Sequence, residues 1–288
     1  MKKFFKKHLL TFVILLVFLI GLSVLLYPII SDYFIAMSQS RVVATYRDAV
    51  DALDPMFIER LLTEAHEYNE RLLGKTDRYN FTEEDYQEYY SLLNVDAGGI
   101  PVMGTLEVPL VNISLPIYHG TSDAVLQIGL GHFEGTSLPV GGPSTHSVIT
   151  GHRGLPSALL LTDIDRMVIG DTFHINVLTE TLTYVVDQIL VILPVNFEPL
   201  EIEEGMDYVT LLTCTPYGIN SHRLLVRGVR AESEEEILTV QRRAIMSEAL
   251  RVDTGLVLVI ILIPTILTMI TVNTIKNIRK SMKTKKSR

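Results

Sequence analysis

Two long stretches without a charged side chain constrain everything else in this chain. Residues 8–31 contain no Lys, Arg, Asp or Glu, and 9–30 is mostly Leu, Ile, Val and Phe. A second such stretch, 254–275, is interrupted only by Pro264, which membrane helices tolerate. Each has about the ~20 residues that a helix needs to cross a hydrocarbon core of ~30 Å. The other reading of the first stretch is a secretory signal. Its apolar part exceeds the roughly 7–15 residues of a signal core, and no small-x-small site follows Tyr27-Pro28. Transmembrane helices are therefore expected at 9–30 and 254–275, and the lipid bilayer is an expected partner through both.

Charge orients the two spans. Lys2, Lys3, Lys6 and Lys7 precede the first; Lys276, Arg279, Lys280, Lys283, Lys285, Lys286 and Arg288 follow the second. Positive flanks stay in the cytosol, so both termini are expected inside the cell membrane and 31–253 outside. These tails hold eleven of the 25 basic residues and none of the 33 acidic ones, leaving 14 basic against 33 acidic between them, a net of −19. A domain that acidic is not expected to bind nucleic acid nonspecifically.

The outer part begins as helix. Val43, Tyr46, Val50, Leu53, Phe57 and Leu61 recur at three- and four-residue spacing. Asp54-Pro55 divides the run, since proline suits a helix start and not an interior. Gly74 is a stop, the segment 75–84 is polar, and a short helix over 83–93 follows Thr82 as its cap. From Gly104 the period changes. Strand-like runs at 105–109, 113–118, 147–150, 171–178, 181–191, 208–214 and 223–230 are separated by turn residues, with a hairpin at Thr179-Glu180. Seven or eight short strands with few helices among them predict a mostly-β barrel or sandwich. About 220 residues suffice for such a core without disulfides.

The chain has one cysteine, Cys214. In an exported domain it is either a small buried hydrophobe or a reactive thiol. With the last two strand-like runs as antiparallel partners, Cys214 closes one and Arg223 opens the other, so the two face each other at the hairpin mouth. His152 ends an earlier run, with Gly151 and Gly154 leaving room for the imidazole. A thiolate can attack an acyl carbonyl, an imidazole can carry protons, and a guanidinium can steady an oxyanion. By spacing alone His152 is a structural or a catalytic histidine, and Arg223 a solvated or a functional cation. His119, His132, His146 and His222 have no clear partner and read as structural. Asp123, Asp163 and Asp165 fit no calcium loop, and one cysteine allows no Cys/His zinc pattern. No metal and no cofactor is expected.

Thr210-Leu211-Leu212-Thr213-Cys214 has the Thr-Leu-x-Thr-Cys signature of sortases, and Arg223 falls where their arginine does. Thr150-Gly151-His152-Arg153-Gly154 resembles the segment carrying their histidine. Leu115-Pro116-Ile117-Tyr118-His119-Gly120-Thr121-Ser122, Gly131-His132-Phe133-Glu134-Gly135-Thr136-Ser137-Leu138-Pro139 and Cys214-Thr215-Pro216-Tyr217-Gly218-Ile219-Asn220 resemble the pilus-assembling class C sortases. The likeness covers roughly residues 40–275.

The resemblance implies a sortase-type eight-stranded β-barrel with N-terminal helices, on the outer face of a Gram-positive cell. The layout that follows is a basic tail at 1–8, a span at 9–30, helices within 31–103, a catalytic barrel at 104–231, a linker helix at 232–253, a second span at 254–275 and a basic tail at 276–288. It also implies cleavage of a Leu-Pro-x-Thr-Gly-like sorting signal and transfer of the acyl group to a lysine amine of the next pilin subunit. Cys214 would be the nucleophile, His152 the general acid and base, and Arg223 the oxyanion or substrate clamp. Thr150 and Thr213 are candidates for the substrate groove. Class C enzymes usually carry a lid with an Asp-Pro-aromatic motif, and here the segment reads Lys75-Thr76-Asp77-Arg78-Tyr79-Asn80-Phe81, without the proline. Either Asp77 meets Arg223 and Tyr79 covers Cys214, or there is no functional lid. The rival functions are anchoring of surface proteins to cell-wall peptidoglycan and a noncatalytic pilus-assembly scaffold.

Overall fold

The apolar run at the N-terminus does not end where polar residues begin. In the computed structural model, which describes residues 2–75, 77–231 and 262–274, a single helix, α1 (Lys2–Asp51), includes the expected span and continues beyond it with Pro28 inside. Among the described residues, one helix, Thr11–Asp51, is long and apolar enough to cross a membrane. The last turns of α1 bury Val43, Tyr46 and Val50, the stripe that the periodicity predicts.

Asp54 caps α2 (Pro55–Leu72), its carboxylate accepting from Met56 N at 2.8 Å, with Pro55 in the first turn. The helix stops before Gly74, whose φ of +78° suits a residue without Cβ. A capping box between Thr82 and Asp85 starts α3 (Glu83–Ser91). Two two-residue strands, β1 (Val95–Asp96) and β2 (Pro101–Val102), then form a small ladder too short to show a sequence period.

Eight strands close into a barrel. They are β3 (Gly104–Val108), β4 (Ile113–His119), β5 (Leu130–His132), β6 (Thr145–Thr150), β7 (Thr172–Val177), β8 (Glu180–Ile192), β9 (Asp207–Thr215) and β10 (His222–Arg230). Their order around the barrel is β10-β8-β7-β3-β4-β5-β6-β9. The pairs β4–β5 and β6–β9 are parallel and the others antiparallel. A short helix, α4 (Asp123–Ile128), makes the crossover from β4 to β5.

Alternation along the strands sorts their side chains into two layers. Leu106, Ile117, Ile149, Phe173, Leu211 and Val226 fill the interior. Val148, Leu200 and Leu225, with Phe133, Leu190, Ile192 and Leu212 against them, form a second apolar cluster. Leu211 and Leu212 are neighbours in sequence and belong to different clusters, so the second lies on the outer wall of β6, β9, β10 and β8.

Three buried histidines are structural. His119 Nε2 donates to the Leu92 carbonyl at 2.6 Å. His132 Nε2 donates to the Ser137 carbonyl at 2.8 Å and its Nδ1 accepts from Tyr89 Oη at 2.9 Å, tying α3 to the barrel. His146 Nδ1 donates to the Glu201 carbonyl at 2.9 Å, and its Nε2 accepts from Thr210 Oγ1 at 2.8 Å. Burial pushes both His132 and His146 down to about 4, which keeps them neutral.

The chain divides into two compact units, Met1–Ala244 and Ile245–Arg288. In the second, the described residues form a helix, α5 (Leu262–Thr274), shorter than a crossing requires. The two transmembrane helices expected from sequence thus reduce to one among the described residues. The linker helix at 232–253, the rest of the second span and the tail at 276–288 lie outside them.

Candidate active site

The last hairpin sets the geometry. In the β9–β10 register Cys214 stands opposite Arg223, and Leu212 opposite Leu225. Residues directly opposite share a face, so Cys214 and Arg223 continue the outer row that Leu212 and Leu225 begin. On the other side of β9, Thr150 of β6 lies beside Leu212. The parallel contact persists past the strand end: Gly151 N donates to the Leu212 carbonyl at 3.2 Å. His152 follows Gly151 in the loop that leaves β6. That loop and the neighbouring strands β9 and β10 therefore bring His152, Cys214 and Arg223 to one end of the barrel. All three are half-buried, open enough for a substrate to reach.

Gly151 is what lets the histidine loop lie this close. A Cβ there would meet the Leu130 and Leu161 side chains at 2.6 to 3.0 Å. The loop returns on itself through Leu161 N, which donates to the His152 carbonyl at 3.2 Å. Arg223 Nη1 donates to the carbonyls of Asn220 and His222 at 3.3 and 3.2 Å. Among the described residues no carboxylate pairs with it, so its charge is available to a ligand. A thiol and a guanidinium opposite each other, with an imidazole in the adjoining loop, suit nucleophilic acyl transfer.

A sortase-domain family model matches residues 106–231. The crystal structure of sortase C1 from Streptococcus agalactiae is 45% identical, with a TM-score of 0.64 over 67% of this chain and 100% of that one. The chain belongs to the sortase family. Within this family of cysteine transpeptidases it is of the class C type. A sortase C from Streptococcus pneumoniae is likewise 43% identical over 67% of this chain and 97% of that one, with a TM-score of 0.58. The curated sortase A of Streptococcus agalactiae is 27% identical over 119 residues, 40% of this chain; the match spans 48% of that relative.

In this sortase the two threonines expected in the groove part company. Thr150 is on the outer row beside Leu212. Thr213 is 1% exposed and points inward with its partner Leu224, and its hydroxyl donates to the Gly151 carbonyl at 2.7 Å. It is corrected from a groove residue to a brace for the His152 loop.

Residues 77–84 are docked on the barrel, but by other contacts than those expected. Asp77 Oδ1 accepts from Asn80 Nδ2, and among the described residues it makes no ion pair with Arg223. Tyr79 packs in an aromatic cluster, 5.8 Å from Phe133 and 5.4 Å from Phe197, ring centre to ring centre. Phe133 belongs to the outer apolar cluster, so Tyr79 caps that wall. Arg78, 4% exposed, holds the segment. Its Nη2 donates to the Leu200 carbonyl at 3.2 Å and pairs with Glu201 at 2.9 Å.

Sequence reasoning missed Arg78, Phe133, Phe197 and Arg153. Arg153 follows the histidine, and its Nη1 donates to Thr215 Oγ1 at 3.2 Å, one residue past the thiol. It also pairs with Asp165 and lies over the Tyr217 ring. The one signal available for it was its place next to His152.

Proposed function

We propose that this sortase is a membrane-anchored transpeptidase that cuts an LPxTG-like sorting signal and joins the new acyl end to a lysine of a pilin subunit, so polymerising pili. The observation that carries the reading is the strand register: Cys214 pairs with Arg223, and β6 runs on beside β9 toward His152. The Cys214 thiolate attacks the threonine carbonyl carbon. Arg223 stabilises the oxyanion, a contact worth roughly 3 kcal/mol. His152 protonates the departing glycine amine as the C–N bond breaks, leaving a thioester. A lysine amine then attacks that thioester, His152 takes its proton, and the thiolate leaves as the isopeptide bond forms. Once Tyr79 is displaced, Thr150, Leu212 and Leu225 supply the wall against which an extended signal can lie.

Anchoring by 9–30 and 254–275, with both termini in the cytosol and the barrel outside, is supported by the basic flanks and by the apolar length of α1. The pilin acceptor is favoured over a wall amine by the likeness to sortase C structures, among them the pneumococcal one, which bears on pilin substrate specificity. In cells lacking other sortases, Cys214→Ala should abolish high-molecular-weight pilin ladders while the protein stays folded and membrane-bound. Ladders that persist would refute the enzymatic reading. Mass spectrometry of the product separates the acceptors, as a Thr–Lys isopeptide or a Thr–peptidoglycan linkage.

A further inference from the structure

The helix that carries the membrane span touches the loop that carries His152. Asp32 is the first charged residue after Lys7, and its Oδ1 accepts from Leu159 N at 2.8 Å. Leu159 lies two residues before Leu161, whose amide holds the His152 carbonyl. Further along α1, Gln39 Nε2 donates to the Ile128 carbonyl at 3.1 Å. Tyr46 Oη then accepts from Leu178 N at 2.8 Å. Leu178 is in the β7–β8 turn. That turn begins β8, whose other end, Ile192, stands opposite Arg223. From Asp32 to Tyr46, about 21 Å of helix, α1 therefore runs from the catalytic end of the barrel to the remote end.

The two ends differ in character. Leu159, Tyr217 and Ile219, in the loops at the catalytic end, are 55%, 61% and 72% exposed. At the remote end the exposed residues include Thr179, Glu180, Glu203 and Glu204. On α1 itself, Tyr33 and Phe34 are each 62% exposed just beyond the apolar run, where aromatic side chains favour the membrane–water interface.

We propose that the barrel stands with its catalytic end toward the bilayer, the His152 loop riding at the lipid surface. This rests on the membrane anchoring proposed above. Asp32 is two residues past Ile30, so its bond to Leu159 sits about 3 Å along the helix from the end of the apolar run. α1 is assigned as one helix from the span to this contact, with Pro28 inside it. The exposed apolar residues of the catalytic loops then meet the interface, as exposed apolar patches on a membrane-bound domain are expected to do. The acidic remote end points to solvent.

Depth measurement on the full chain in nanodiscs tests the orientation. In a Cys214→Ala background, single cysteines from Leu159→Cys, Ile219→Cys and Thr179→Cys would each carry an environment-sensitive fluorophore, quenched by lipids bearing a headgroup nitroxide. Strong quenching at 159 and 219 with none at 179 is expected. Quenching at 179, or at none of the three, would overturn the orientation. A chain that does not incorporate into nanodiscs would overturn the anchoring reading and the orientation with it.

Discussion

Thr213 illustrates how an inward-facing residue can govern its outward neighbours. Its hydroxyl holds the Gly151 carbonyl, and Gly151 precedes His152 on the chain. Thr213→Val keeps the volume and leaves that buried carbonyl unpaired, at a cost of about 1–3 kcal/mol. The expected result is a lower melting temperature together with an altered pH profile for alkylation of Cys214. A profile identical to wild type would mean that the brace does not set the imidazole. Arg153 acts from the other side, joining the residue after His152 to the residue after Cys214. Arg153→Ala should lower kcat roughly tenfold to a hundredfold through misplacement of the histidine, with KM little changed and partial rescue in Arg153→Lys. A change confined to KM would instead make Arg153 a substrate contact.

Among the elements, the docked segment 77–84 yields the clearest experiment. Tyr79 sits against Phe133 and Phe197 on the outer wall, so its removal opens that wall. Tyr79→Ala should speed labelling of Cys214 by a bulky thiol reagent several-fold; unchanged kinetics would discard the cover. Seven of the eight barrel strands, the helix break at Asp54-Pro55, the cap at Thr82 and the pairing of Cys214 with Arg223 were legible in the sequence, because each depends on neighbours or on a period of two. What escaped notice depends on distant chain. Leu130–His132 is three residues buried on both faces, too short for alternation to show. Arg78 looks like any surface charge until Leu200 and Glu201 arrive from 122 and 123 residues away to bury it. The helix α1 passes from membrane span to barrel support with no punctuation, since nothing local marks that change of surroundings.

At the scale of the molecule, two neutral buried histidines tie stability to pH. Unfolded, each binds a proton near pH 6.5; folded, His132 and His146 do so only at about 4. The unfolded state thus binds more protons between these values, so stability is complete above about 6.5 and is lost as pH falls toward 4. The loss is on the order of 3 kcal/mol per histidine. Denaturant midpoints of the full chain should drop steadily from pH 7 to pH 4.5, with a shallower slope in His146→Gln. A flat profile would show that other groups compensate.

The barrel has no free rim, since β9 and β6 complete the ring that β10 and β8 continue. Many proteins that handle extended peptides lend them an unpaired strand, and gain affinity from the main chain whatever the sequence. Here that route is narrowed: each barrel strand has a neighbour on both sides over at least part of its length. A visiting peptide is then held mainly through side chains and loops on the outer wall, so discrimination among donors is built into how they bind.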